Sequence, residues 1–224
     1  MTSTHLILFA SLAGAALFFA AGAALAALER PRKHYQWYYS GREANEDMWH
    51  PKQGLHDFLR GYYHFKSADW PGNKPFPLAG WTAEELAKLP TYYIMDRDQG
   101  MAATVAAEMP PPGDCAWLSE AALAVEAEEY ARTGFQGGLQ WYRCRTERRF
   151  LADLEVFGGR AIEVPSCFIA GASDWGIHQS PGALARMQET ACTRMLMCHL
   201  VEGAGHWVQQ EQPEEVVREV MRNR

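Results

Sequence analysis

Ile162-Glu-Val-Pro-Ser-Cys-Phe-Ile-Ala-Gly171, continued by Ala172-Ser-Asp174, is the stretch on which the fold turns. It is a short, continuous apolar run ending in Gly. A strand with one wet face alternates apolar and polar residues. A run without alternation suits a strand covered on both faces, as in a parallel sheet. A second such run, Met195-Leu-Met-Cys-His-Leu-Val201, leads into Glu202-Gly-Ala-Gly-His206. Between the two, Pro181 to Glu189 reads as a helix. Pro213 opens a last amphipathic helix, in whose first turn its missing N–H costs nothing. Residues 160–224 therefore read strand, helix, strand, helix.

Upstream the pattern changes, and residues 31–158 read as nearly all helix. Tyr35, Trp37, Tyr38 and Tyr39, then Leu55, Phe58, Leu59, Tyr62 and Tyr63, fall at helical spacing. Pro71-Gly-Asn-Lys-Pro-Phe-Pro77 is a loop. Thr82-Ala-Glu-Glu85 is a capping box that opens a short helix, stopped by Pro90. After the break at Pro110-Pro-Pro-Gly113, Ser119 caps a helix running to Thr133, with Gly134 as its stop. Gly137-Gly138 precedes another helical stretch, Leu139 to Leu154.

Residues 6–28 carry no charge and hold ten Ala and six Leu. A run of 18 or more apolar residues is a transmembrane candidate. Arg30, Arg32 and Lys33 on its far side would leave the bulk in the cytosol. A second reading keeps the segment inside a larger fold, with Leu6-Ile-Leu-Phe-Ala10 as a buried strand. Hydropathy alone does not separate the two.

The 224 residues allow one core, or one core with a small satellite. A net charge of −6 leaves no basic surplus for a phosphate backbone, so nucleic acid is not an expected partner. The five cysteines are odd in number and have no zinc-like spacing. They read as free thiols in a reducing compartment. No metal or cofactor is expected.

In a parallel α/β sheet, ligands bind beyond the carboxyl ends of the strands. Asp174 and His206 both follow such ends. An Asp bonded to one imidazole nitrogen fixes the tautomer and leaves the other nitrogen as a base. The plainer reading is that Asp174 caps the turn after its strand.

Four segments together resemble the epoxide hydrolases of the α/β-hydrolase fold, in that family's order. Tyr130-Ala-Arg-Thr-Gly-Phe-Gln-Gly-Gly-Leu-Gln-Trp-Tyr-Arg143 and His34-Tyr-Gln-Trp-Tyr38 look like parts of the lid. Val164 through Asp174 resembles the strand that delivers the acid of the triad. Gly203-Ala-Gly-His-Trp207, followed by Gln212-Pro213, resembles the loop of its His. The resemblance implies an α/β fold: the C-terminal portion of an α/β-hydrolase core, with two or three parallel strands and flanking helices, carrying a mostly helical lid. The expected divisions are an apolar segment over 1–30, the lid over 31–158 and the core portion over 159–224.

Carried over residue by residue, the resemblance makes Tyr35 and Tyr142 the lid tyrosines that hydrogen-bond the oxygen of a small apolar epoxide. His206 becomes the base that activates water, and Asp174 the carboxylate that orients it. The tyrosine pair argues against a haloalkane dehalogenase. The family's nucleophile sits on a Gly-x-Asp-x-Gly turn upstream of the lid. This sequence has no such turn, and no Asp at all before Tyr35. The chain as written is expected to hydrolyse epoxides poorly or not at all. Ser11 lies 24 residues before Tyr35, so Leu6–Ala10 could be the strand preceding the lid, its open edge inviting homodimerisation. The competing readings are a non-catalytic, membrane-anchored or partner-binding protein that keeps the lid pocket, and another α/β-hydrolase, an esterase or a dehalogenase. The expected location is the cytoplasm, or a membrane with the bulk facing the cytosol.

Overall fold

The computed structural model describes residues 22–111, 115–147, 149 and 151–222. Leu6–Ala10, and all but the last residues of the apolar run, lie outside the described residues. Among the described residues, no helix is long and apolar enough to cross a membrane.

Among the described residues, helix over 22–26 precedes a short strand, β1 (Arg32–His34), and then three helices: α1 (Tyr35–Ser40), α2 (Glu43–Trp49) and α3 (Leu55–Lys66). A one-turn helix α4 (Ala83–Leu86) and a strand β2 (Ile94–Asp96) lead to α5 (Met101–Ala106). Helices α6 (Glu120–Thr133), α7 (Gln136–Thr146) and α8 (Leu151–Glu155) complete the helical part. The reading of this part as nearly all helix needs one correction. β1 and β2 form an antiparallel ribbon, with Arg32 opposite Asp96 and His34 opposite Ile94. All three residues of β2 are buried, and Asp96 is held by Arg30 at 2.5 Å and Arg32 at 2.7 Å. Each strand is too short to show a period in the sequence.

The expected caps are present. Ser119 Oγ accepts from Ala122 N at 3.2 Å, and Gly134 leaves α6 at φ 62. Thr82 Oγ1 accepts from Glu85 N at 3.3 Å, but Glu85 takes the Ala79 amide, so the box does not close on itself. The stretch expected to be helical from Leu139 to Leu154 is two helices. α7 stops where Thr146 Oγ1 turns back to the Tyr142 carbonyl at 3.2 Å and to Ser40 Oγ at 2.8 Å, competing with the helix ladder.

One large core fills the helical part. Phe58, Phe65, Tyr92, Tyr93, Ile94, Met95 and Met101 are essentially inaccessible there. Burying each of the Phe, Ile and Met side chains contributes about 1.5–3 kcal/mol. All nine tyrosines of the chain lie in or against this core.

The remainder is α/β. β3 (Ser166–Gly171) and β4 (Met195–Val201) pair in parallel, from Ser166 opposite Met195 to Gly171 opposite Val201. The strand expected from Ile162 begins later. Pro165 has no N–H for the ladder, and upstream of it Ile162 makes only an isolated bridge to Cys192. The crossover holds a 3₁₀ turn (Trp175–Ile177) and a short helix α9 (Ala183–Arg186) that widens into a π turn over Met187–Ala191. After β4 come α10 (Val208–Glu211) and α11 (Pro213–Arg222). Val201, Ala204 and Val208 make a second, small core.

Candidate active site

The loops after β3 and β4 are bound to each other. Ala172 N donates to Val201 O and Ser173 N to Ala204 O, both at 2.9 Å. Gly171 permits that approach, because a Cβ there would lie 2.2 Å from Gly205 O and 2.3 Å from Ala204 O. The closeness of these loops delivers Asp174 to His206. Asp174 Oδ2 lies 3.1 Å from His206 Nδ1, while its Oδ1 accepts from Gly176 N at 2.7 Å. The plain reading of Asp174 as a cap of the next turn and the paired reading thus both hold, one oxygen each.

Burial pushes the Asp174 carboxyl up. The hydrogen bond and charge of His206, the Gly176 amide and the charge of Lys66 outweigh it and leave the group below its ordinary range. Asp174 is therefore ionised at neutral pH and can only accept. His206 Nδ1 must carry the proton, which leaves Nε2 as the basic nitrogen. The His206 side chain is 36% exposed and that of Asp174 14%.

A residue with no signal in the sequence holds the His206 loop. Glu211 accepts the amides of Ala68 (2.7 Å), Gly205 (2.9 Å) and Trp207 (3.0 Å). The His206 amide itself donates to Lys66 O at 2.9 Å, and Trp207 Nε1 to Tyr63 O at 2.9 Å. Lys66 and Tyr63 both belong to α3, so the His loop is fastened to the helical part.

Tyr35 and Tyr142 come together from α1 and α7, their rings edge to face at 5.7 Å. Tyr39 packs on Tyr142 at 4.8 Å. Tyr35 Oη donates to Gln179 Oε1 at 3.3 Å and receives Gln36 Nε2 at 3.2 Å. Gln179 follows Asp174 by five residues, so Tyr35 reaches the chain that leaves the carboxylate. Its long bond to Gln179 is one that a better acceptor can displace. Burial raises the proton affinity of both hydroxyls. For Tyr35 the nearby charge of Lys66 pulls the other way, and for Tyr142 that of Arg145.

Two other features lie apart from these four residues. A cleft of about 480 Å³ is lined by Ser40, Arg42, Gln136, Gln140, Arg143, Glu147 and Arg149. His199, Glu215 and Glu219 bring ligand atoms within 4.8 Å of one another, as a metal ion would require. Arg218 and Arg222 already pair with those carboxylates.

No protein-family model matches the chain. Epoxide hydrolase A of Mycobacterium tuberculosis is 40% identical over 106 residues, which is 47% of this chain and 31% of that protein. Epoxide hydrolase B of the same organism is 35% identical over 104 residues, 46% of this chain and 28% of that one. Among solved structures, an epoxide hydrolase from an endophytic Streptomyces superposes with a TM-score of 0.66 at 25% identity, covering 91% of this chain and 54% of the other. Epoxide Hydrolase A from Mycobacterium thermoresistibile gives 0.60 at 26% identity, covering 85% and 51%. The chain thus spans about half the length of these solved relatives, and its matched part about a third of the curated ones. In sequence and in fold it is a relative of the epoxide hydrolases of the α/β-hydrolase fold, corresponding to a helical lid and the C-terminal portion of their core.

Proposed function

We propose that this chain is the proton-handling part of an epoxide hydrolase, with residues 31–158 as lid and 159–224 as the end of the core. Tyr35 and Tyr142 donate hydrogen bonds to the epoxide oxygen and stabilise the alkoxide as the ring opens. His206 Nε2 takes a proton from water, and Asp174 stabilises the imidazolium. That water then cleaves the ester formed between the opened epoxide and a carboxylate nucleophile, giving the diol. The observation that carries this reading is the Asp174–His206 hydrogen bond at 3.1 Å, beyond the carboxyl ends of two parallel strands. The similarity to epoxide hydrolases favours it over esterase or dehalogenase chemistry.

The sequence lacks a Gly-x-Asp-x-Gly turn, so the chain by itself is expected to form no diol. The test joins it to the N-terminal half of a solved relative, which carries the nucleophile strand and turn. Diol formation from a styrene oxide probe is expected, and His206→Ala should trap the ester. A folded chimera that leaves the probe untouched would sink the reading and favour a non-catalytic pocket.

Two finer readings accompany it. Residues 6–28 either anchor the chain, with its bulk in the cytosol, or add a strand. Extraction of the chain by carbonate from membranes separates the two. Exposed Val164, Leu196 and Val217 suit cover by further strands or by a second copy.

A further inference from the structure

Lys66 closes α3, yet only 4% of its surface is exposed. Among the described residues, its ammonium faces aromatic rings in place of a salt-bridged carboxylate. Nζ lies 5.0 Å from the ring centroids of Tyr62 and Tyr93, 5.2 Å from Tyr92 and 5.8 Å from Tyr35. Its own carbonyl accepts the His206 amide. One residue therefore touches both halves of the site, with its backbone on the His206 loop and its charge beside Tyr35.

A buried ammonium is costly, and a Met of similar length would fill this aromatic space without that cost. The charge needs a reason. Tyr35 supplies one, because burial alone makes its hydroxyl a reluctant donor. Of the groups around it, Gln36 of α1 and the cations Lys66 of α3 and Arg145 of α7 act against that effect, while Tyr62 adds to it. Asp174 also lies within the field of Lys66.

We propose that Lys66 is a positioning residue for epoxide opening. Its caged ammonium stabilises negative charge developing on the Tyr35 hydroxyl and on the oxygen that Tyr35 holds, with Arg145 assisting from the other side. This rests on the role of Tyr35 given under Proposed function. The plainer role, a cation opposing the C-terminal dipole of α3, would affect stability and leave Tyr35 unchanged.

The test replaces every tyrosine with 3,5-difluorotyrosine, whose acidic phenol titrates near neutral pH, and follows each site by ¹⁹F NMR. Tyr35→Phe identifies the signal of position 35. Lys66→Met is expected to lower the ionised fraction of position 35 at a given pH by at least about tenfold. That is a conservative reading of Coulomb's law for one charge 5.8 Å from the ring at an effective dielectric constant of about 20. Lys66→Arg should restore most of the loss, and Tyr130 should not respond. Identical titrations at position 35 in Lys66→Met and the parent would overturn the proposal. Lys66→Gln serves if Lys66→Met does not fold. The parent protein carries the same test without a variant, since the ¹³Cε signal of Lys66 must move with the titration of position 35. A static signal there would also overturn it. A chimera without diol formation, with the Lys66–Tyr35 response intact, would remove the epoxide reading and leave the electrostatic coupling standing.

Discussion

Acidification should destabilise this protein through His34, one residue before Tyr35. His34 is 7% exposed, and its Nδ1 accepts the Gln36 amide at 3.3 Å as the N-cap of α1. A protonated Nδ1 could not accept that bond. Burial, helped by the charge of Arg145, lowers the His34 pKa from 6.5 to about 3. The folded state thus disfavours the proton. Stability is whole above pH 6.5, falls as the pH drops through that value, and levels off below about 3. At pH 5 the gap to the unfolded value is 1.5 units, about 2 kcal/mol, against about 0.2 kcal/mol at pH 7. Urea unfolding followed by Trp fluorescence should show a midpoint lower at pH 5 than at pH 7. The His34 share of that drop is about 1 M for an m-value of about 2 kcal/mol/M. His34→Asn keeps a capping oxygen and removes the titration. It should abolish that share while leaving the contributions of His64 and His178, whose pKa values burial also lowers. Equal losses from pH 7 to pH 5 in the parent and His34→Asn would refute the reasoning.

Two further outcomes follow from the loops around His206. Glu211→Gln leaves one oxygen where two serve three amides and turns an NH₂ toward a donor, at a cost of about 1–3 kcal/mol. For a chain of this size a thermal melt should fall by about 2–4 °C per kcal/mol, and an unchanged melt would count against the role of Glu211. Gly171→Ala drives a Cβ to 2.2 Å from Gly205 O, a backbone atom that cannot yield without moving His206. A loss above about 3 kcal/mol, or failure to fold, is expected; a parent-like melt would show that the loops are not as tightly apposed as described.

The legible part of this molecule is the part with long-enough patterns. β3 and β4 announced themselves as unalternating apolar runs, and the loops after them already placed Asp174 and His206 at one edge. Ser119 and Gly134 bounded α6 by capping chemistry that acts within a few residues. What escaped the sequence acts across long separations. Arg32 and Asp96 are 64 residues apart, in strands of three residues each. Lys66 ends a helix, where a lysine ordinarily reaches water, and only the fold encloses it in four tyrosines contributed by three segments. Glu211 sits in a polar Gln-Gln-Glu-Gln stretch that reads as surface. Among nine tyrosines, spacing could not select Tyr35 and Tyr142; the family resemblance did, and the 5.7 Å between their rings now joins them.

The supports of the site and the cover of the sheet obey different logic. Among the described residues, the bonds that fix Asp174 against His206 come from residues 63–68, 171–176 and 201–211: the amide bonds between the two loops, the Gly171 approach, the Glu211 carboxylate and the Lys66 and Tyr63 carbonyls. Some join distant parts of the sequence, but all lie within the described residues, so the pair needs no further strand to hold its geometry. The parallel sheet itself is different, because such sheets are covered on both faces and are seldom two strands wide. Here Leu196 is 56% exposed and Val164 64%. Added strands would therefore gain their free energy from apolar cover at the sheet, while the Asp174–His206 pair they meet would already be in place. A nucleophile delivered on such strands would need only to arrive within reach of Tyr35, Tyr142 and His206, which is why joining the two halves is a fair test of the chemistry as well as of folding.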